Sequence, residues 1–151
     1  NPRLNIHIKQ LYMDEVQTEI LLDEAKYDYV IDAIDTISPK IALLTGCLKR
    51  KIKVISSMGA GGRIDPTRIA YADISETYHC ALAKAVRKRL KDAGISKGIK
   101  VVFSSEQPDR NAIIRTDEER NKKSTVGTIS YLPAIFGCYL AAYVIRKLSQ
   151  K

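Results

Sequence analysis

The sequence predicts an α/β domain built as a mostly parallel sheet flanked by helices. Three observations predict it. β-branched, apolar runs at residues 27–35 ("YDYVIDAID") and 53–58 ("KVISSM") bracket a helical stretch, and strand–helix–strand alternation joins parallel neighbours. A second helix over residues 78–93 leads into another apolar run, "KGIKVVFSS". An apolar helix, "SYLPAIFGCYLAAYVIRKL", closes the chain. The 151 residues suit one domain with a core of its own, and 45% hydrophobic with 28% charged residues is an ordinary globular composition, not a disordered one.

The elements follow in order. Residues 4–13, "LNIHIKQLYM", alternate apolar and polar side chains and read as a strand. Asp14 caps a helix whose apolar face includes Val16, Ile20 and Leu21. Residues 27–35 read as a buried strand. Ser38 then serves as N-cap and Pro39 as first residue of a helix carrying Ile41, Leu44, Cys47 and Leu48. Its cationic end, Lys49-Arg50-Lys51, suits the negative pole of a helix dipole. The run "RIDPTRIAYADI" is extended and broken by Pro66, and Ser75 or Thr77 opens the helix over 78–93, which Gly94 stops. Residues 106–125 lack periodicity and are strongly charged, which predicts a long exposed loop. Gly137, Ala141 and Ala142 let the last helix pack closely. No internal repeat and no interdomain linker is visible.

Composition narrows the function classes. The net charge of +8 favours polyanionic partners, although a basic excess is also common without them. Cys47, Cys80 and Cys138 are odd in number and form no C-x-x-C, so buried free thiols in a reducing, cytoplasmic compartment are expected. His7 and His79 lack a second ligand at metal spacing. The longest apolar run, residues 131–145, falls short of the roughly 20 residues that span a bilayer, so no membrane association is expected.

Three constellations could carry chemistry. Asp32 and Asp35 end the strand over 27–35, where open α/β sheets bind ligands. A carboxylate there can reach a Mg²⁺ that accompanies a triphosphate; Asp35 is the better placed, and Asp32 lies deeper, toward backbone donors. The competing reading is that Asp35 only begins a turn. The second is the loop "GAGGRID", with Gly59, Gly61, Gly62, Arg63 and Asp65. It fails the dinucleotide fingerprint, because Ile64 stands at the third glycine and Asp65-Pro66 prevents a following helix; no G-K-[ST] follows either. It is therefore either a close-approach loop lining a site, with Arg63 directed at an anion, or a turn without a ligand. The third is Lys84, Arg87, Lys88 and Lys91, a basic stripe opposite an apolar face of Leu82, Val86, Leu90 and Ala93. It suits a phosphate backbone or is simply a solvated face, while Arg89 falls toward the apolar side.

Taken together, "YDYVIDAIDTISPKIALL", "VISSMGAGGRIDPTRI", "LAKAVRKRLKDAGI" and "IKVVFSSEQP" resemble the tRNA threonylcarbamoyladenosine dehydratases of the ThiF/MoeB/HesA superfamily, relatives of ubiquitin-activating enzymes. The likeness runs from Asn1 to Pro108 and resumes at "VGTISYLPAIFG". It implies an incomplete Rossmann-like, ThiF/MoeB-type fold and an ATP-dependent activity that adenylates a carboxylate on modified tRNA, which then cyclises with loss of water. By the resemblance Asp35 matches the aspartate that helps bind ATP and Mg²⁺, residues 59–65 match the loop beside the nucleotide, and the basic helix matches a region that could face tRNA. The family's nucleotide-binding half, with its glycine-rich phosphate loop, has no counterpart ahead of Asn1. Residues 1–151 are thus expected to be the C-terminal part of one such domain, inactive alone, with an open sheet edge that favours a homodimer. No cysteine stands in "ERNKKSTVG", where some relatives carry one, and the paired C-x-x-C motifs of the sulfur-carrier-activating branch are absent. The rival readings are an adenylating enzyme acting on a sulfur-carrier or ubiquitin-like C-terminus, with sulfur-transfer partner proteins, and a non-catalytic tRNA-binding or dimerisation module.

Overall fold

The computed structural model describes residues 2–114 and 125–150. Its centre is a four-stranded sheet in the order β1-β2-β4-β3, formed by β1 (Val30–Asp32), β2 (Val54–Ser57), β3 (Ile69–Asp73) and β4 (Lys100–Ser104). β1 runs parallel to β2 with Ile31 opposite Ile55, and β2 runs parallel to β4 with Ser56 opposite Val101. β3 is antiparallel to β4, with Tyr71 opposite Val102. The sheet is therefore mostly parallel, as expected.

Strand alternation sends neighbouring side chains to opposite layers. Val54, Val101 and Phe103 meet α2 (Ile37–Lys49) and α3 (Ala81–Asp92) through Leu43, Leu44, Cys47, Ala83, Val86 and Leu90. Ile55, Ile69 and Val102 face the other way, onto α4 (Tyr131–Ser149). Leu132, Phe136, Leu140 and Val144 of α4 recur every fourth residue and are buried, each contributing about 2 kcal/mol of apolar burial. α1 (Glu15–Glu24) packs on α2. Asp14 caps it by accepting from the Gln17 N–H at 2.8 Å.

Several local expectations are corrected. Residues 4–13 form no strand: Leu4, Ile6 and Ile8 are exposed, and alternation produces a strand only where a neighbour completes the ladder. α1 buries Thr18 and Leu22 and leaves Val16 and Ile20 in solvent. The strand over 27–35 shrinks to β1, an edge strand with Ile31 46% exposed. The N-cap of α2 is Thr36, two residues earlier than expected and without a side-chain cap, so Ser38 and Pro39 lie inside the first turn. α3 is capped by Cys80, whose Sγ accepts from the Ala83 N–H at 3.4 Å, not by Ser75 or Thr77. Gly137, Ala141 and Ala142 lie on the exposed side of α4. The glycine that permits close helix packing is Gly46, where an added Cβ would come 2.7 Å from Leu22 Cδ1. Cys47 and Cys80 are buried free thiols, whereas Cys138 is exposed. Within the expected 106–125 loop, β5 (Ile113–Ile114) pairs with β6 (Thr125–Val126) at its far end, and residues 115–124 lie outside the described residues.

Candidate functional site

The carboxyl ends of β1 and β2 open into a cleft of about 660 Å³. This is where an α/β sheet binds its ligand, and the volume is that of a small-molecule site. The β1–α2 turn contributes Ala33 and Asp35, and the loop after β2 contributes Met58 to Gly61. The far wall is Phe136 and Leu140 of α4. Cys80, Ala81 and Leu82 bring the start of α3 to the rim, so the positive pole of a twelve-residue helix borders the cleft. No α-helix follows the glycine loop directly; the turn Pro66–Arg68 and β3 do. The fold supplies a helix start from some twenty residues downstream, which no local pattern signals.

Of the two strand-end aspartates, Asp35 is exposed and lines the cleft. Asp32 is fully buried, and its oxygens are occupied. Oδ2 accepts from Lys40 Nζ at 2.5 Å and from Ser56 Oγ at 2.5 Å, and Oδ1 accepts from the Ile34 N–H at 3.0 Å. The expected depth of Asp32 is thus observed, and its contacts are to Lys40, Ser56 and the Ile34 backbone, whereas Asp35 lines the cleft. Lys40 was not a sequence candidate, since a lysine in a first helical turn reads as surface. It is completely buried, and desolvation pushes its ammonium below the usual lysine range while Asp32 and then Asp35 oppose that shift.

The glycine loop divides in the same way. Gly59, Gly61 and Arg63 line the cleft; Gly62 and Asp65 do not. Gly62 adopts φ +71°, which suits glycine, and its N–H and carbonyl tie the loop to Gly127 and Asp109. At Gly61 a Cβ would lie 2.9 Å from that of Val126, so the glycine is required by the close approach of β6. Asp65 caps the turn at Pro66–Arg68 by accepting from the Thr67 N–H and hydroxyl, which hold its carboxyl below the usual range.

Arg63, for which an anion-directed role and a ligand-free turn were both open, spends its guanidinium on the loop and its neighbours. It is only 3% exposed and donates to four carbonyls: Gly59 at 2.7 Å, Gly61 at 3.2 Å, Glu106 at 3.0 Å and His79. Glu106, another residue without a sequence signal, completes the clamp when its carboxylate accepts from the Ile64 and Asp65 N–H groups. On α3, Lys84, Lys88 and Lys91 are exposed as expected. Arg87 turns back to donate to the Thr77 carbonyl at 2.8 Å and to its hydroxyl, leaving the stripe. Arg89 is exposed, not apolar-facing.

Among the described residues no group of three or more His, Cys, Asp or Glu could hold a metal. One cleft carboxylate, Asp35, matches a Mg²⁺ that arrives with nucleotide phosphates and keeps most of its shell as water. No described helix is long and apolar enough to cross a membrane.

The family model described as ThiF family matches residues 1–151. The tRNA threonylcarbamoyladenosine dehydratase of Bacillus subtilis is 39% identical over 155 residues, which cover 98% of this chain and 61% of that protein. The Escherichia coli protein of the same name is 35% identical over 142 residues, covering 83% of this chain and 53% of its own length. The crystal structure of E. coli tRNA N6-threonylcarbamoyladenosine dehydratase in complex with ATP aligns with a TM-score of 0.85 at 30% identity, over 99% of this chain and 59% of that one. Its complex with AMP aligns at 0.83 with 28% identity. The chain spans less than two thirds of the length of these relatives.

Proposed function

This chain belongs to the ThiF family, and we propose that it forms the carboxylate-activating half-site of an ATP-dependent tRNA threonylcarbamoyladenosine dehydratase. The observation that carries the reading is the cleft at the strand ends. It gathers Asp35, the glycine loop and the start of α3 in a chain that aligns with an ATP-bound relative at TM-score 0.85.

In this reading Asp35 accepts a Mg²⁺ bound to the triphosphate, and residues 59–63 wall the far side of the nucleotide. The start of α3 offers a favourable potential to the negative charge of the leaving pyrophosphate. A carboxylate oxygen on the modified base bonds to the α-phosphorus as pyrophosphate departs. Closure within the threonylcarbamoyl group then expels AMP, so the base loses the elements of water. Lys84, Lys88 and Lys91 present positive charge to the tRNA backbone. We further propose that the phosphate-gripping loop lies outside residues 1–151, which turn over no substrate alone. The complete protein would work in the cytoplasm as a homodimer; transfer of sulfur between partner proteins has no feature here to support it.

The test is cyclisation of threonylcarbamoyladenosine-modified tRNA with ATP and Mg²⁺, read by nucleoside mass spectrometry. The full-length protein should form the dehydrated nucleoside, and its Asp35→Ala variant should lose at least 100-fold in rate. Residues 1–151 should give none. Turnover by these residues alone would sink the claim of incompleteness. A full-length protein that exchanges pyrophosphate only with a carrier protein would overturn the substrate.

A further inference from the structure

We infer that Lys40 is a positioning residue for Asp35, acting from beneath the cleft through Asp32 and Ser56. The inference deepens the proposed ATP and Mg²⁺ site and rests on it.

Lys40 is among the largest fully buried side chains of the described residues. A lysine with no exposure is costly, and a buried ion pair is often no more stable than an apolar pair of the same size. The pair therefore invites a use that an apolar pair would not serve. The geometry supplies one. Lys40 Nζ bridges Asp32 of β1 at 2.5 Å and Ser56 of β2 at 3.1 Å, while Ser56 Oγ donates to the same Asp32 oxygen. The second Asp32 oxygen takes the Ile34 N–H at 3.0 Å. One network thus joins two neighbouring strands, the first turn of α2 and the backbone immediately before Asp35. Thr36, the N-cap of α2 next to Asp35, makes no side-chain cap hydrogen bond.

The network also sets charge. Lys40 neutralises Asp32, and Asp35 acts on Lys40 electrostatically. A divalent cation approaching the cleft therefore meets the lining carboxylate Asp35 above a neutralised pair. Lys40 touches neither the metal nor the nucleotide in this account. It holds the carboxylate that does.

The experiment compares full-length wild type, Lys40→Met and the charge-free pair Asp32→Asn with Lys40→Met. Each is measured for thermal midpoint, for amide exchange at residues 33–36, and for ATP binding as Mg²⁺ is titrated. Lys40→Met alone leaves the buried Asp32 without its counter-charge and is expected to melt early. The double variant removes both charges and is expected to hold its midpoint, exchange faster at residues 33–36, and need about 10-fold more Mg²⁺ for half-maximal ATP binding. Its binding of AMP without Mg²⁺ should be unchanged. A merely structural pair predicts otherwise: a double variant that folds and keeps both the wild-type exchange and the wild-type Mg²⁺ midpoint overturns the inference alone. A wild type whose ATP binding ignores Mg²⁺ overturns the proposed site, and this inference with it.

Discussion

Replacing Arg63 with alanine should loosen the wall of the cleft before it affects any anion. Arg63 is 3% exposed and donates to the carbonyls of Gly59, Gly61, Glu106 and His79. Those acceptors come from three chain segments: the glycine loop, the end of β4 and the approach to α3. A hydrogen bond from a charged donor is worth about 1.5 kcal/mol net at the lower end of its range, so four would total about 6 kcal/mol. Part of that is recovered, because the loop can open and let water reach the carbonyls. The expected loss is about 3 kcal/mol, roughly 100-fold in the folding equilibrium. Urea unfolding followed by circular dichroism should show a lower midpoint with the slope unchanged, and amide exchange should rise at Gly62 and Asp109, which bond across the same loop. Arg63→Lys should recover less than half, since one ammonium cannot span four carbonyls set around a planar fork. The reasoning is refuted if Arg63→Ala keeps its midpoint and instead weakens pyrophosphate binding. That outcome would return Arg63 to the anion-directed role its sequence context suggests.

Other outcomes follow from the same geometry. Gly61→Ala should destabilise by about 2 kcal/mol, because its Cβ would fall 2.9 Å from Val126 Cβ, whereas Gly59→Ala, with 3.6 Å to Cys80 Sγ, should stay within about 1 kcal/mol in the same unfolding assay. Arg50 binds Asp23 at 2.7 and 2.8 Å and Glu19 at 2.7 Å, and these bonds hold both carboxyls below their ordinary values of 3.8 and 4.5. A lowered folded-state value means stability that is present above the ordinary value and lost as pH falls through the folded one. The denaturation midpoint should therefore drop below about pH 4.5, and Arg50→Gln should flatten that drop. Lys88→Ala with Lys91→Ala should weaken tRNA binding and reduce its salt slope by up to about 2. Arg87→Ala should leave the slope unchanged and lower stability, since its guanidinium is spent on Thr77.

The fold was legible wherever the signal is local. Asp14 was readable as a cap because a cap acts three residues away, on Gln17. α4 was readable as an apolar helix, but not the face it buries: Leu132, Phe136, Leu140 and Val144 are buried, while the expected packing residues Gly137, Ala141 and Ala142 are exposed. The β1 and β2 runs and the helix between them implied a parallel pair, and the pair is present. The strand reading of residues 4–13 failed for a complementary reason. Alternation reports which side chains share a face, not whether a neighbour exists to complete the ladder.

By itself, the sequence determined the strand–helix–strand core around α2, the mostly parallel character of the sheet, the placement of Asp35 just past a strand and the family likeness carried by its motifs. Only the tertiary structure decided what the charged residues do. Lys40 and Ser56 are 16 residues apart, and Arg63 meets Glu106 across 43. Propensity and periodicity act over a few residues. Desolvation depends on what the rest of the chain places around a side chain. A lysine or arginine that reads locally as solvated, or as ready for an anion, therefore becomes an internal strut once its partners arrive from distant segments.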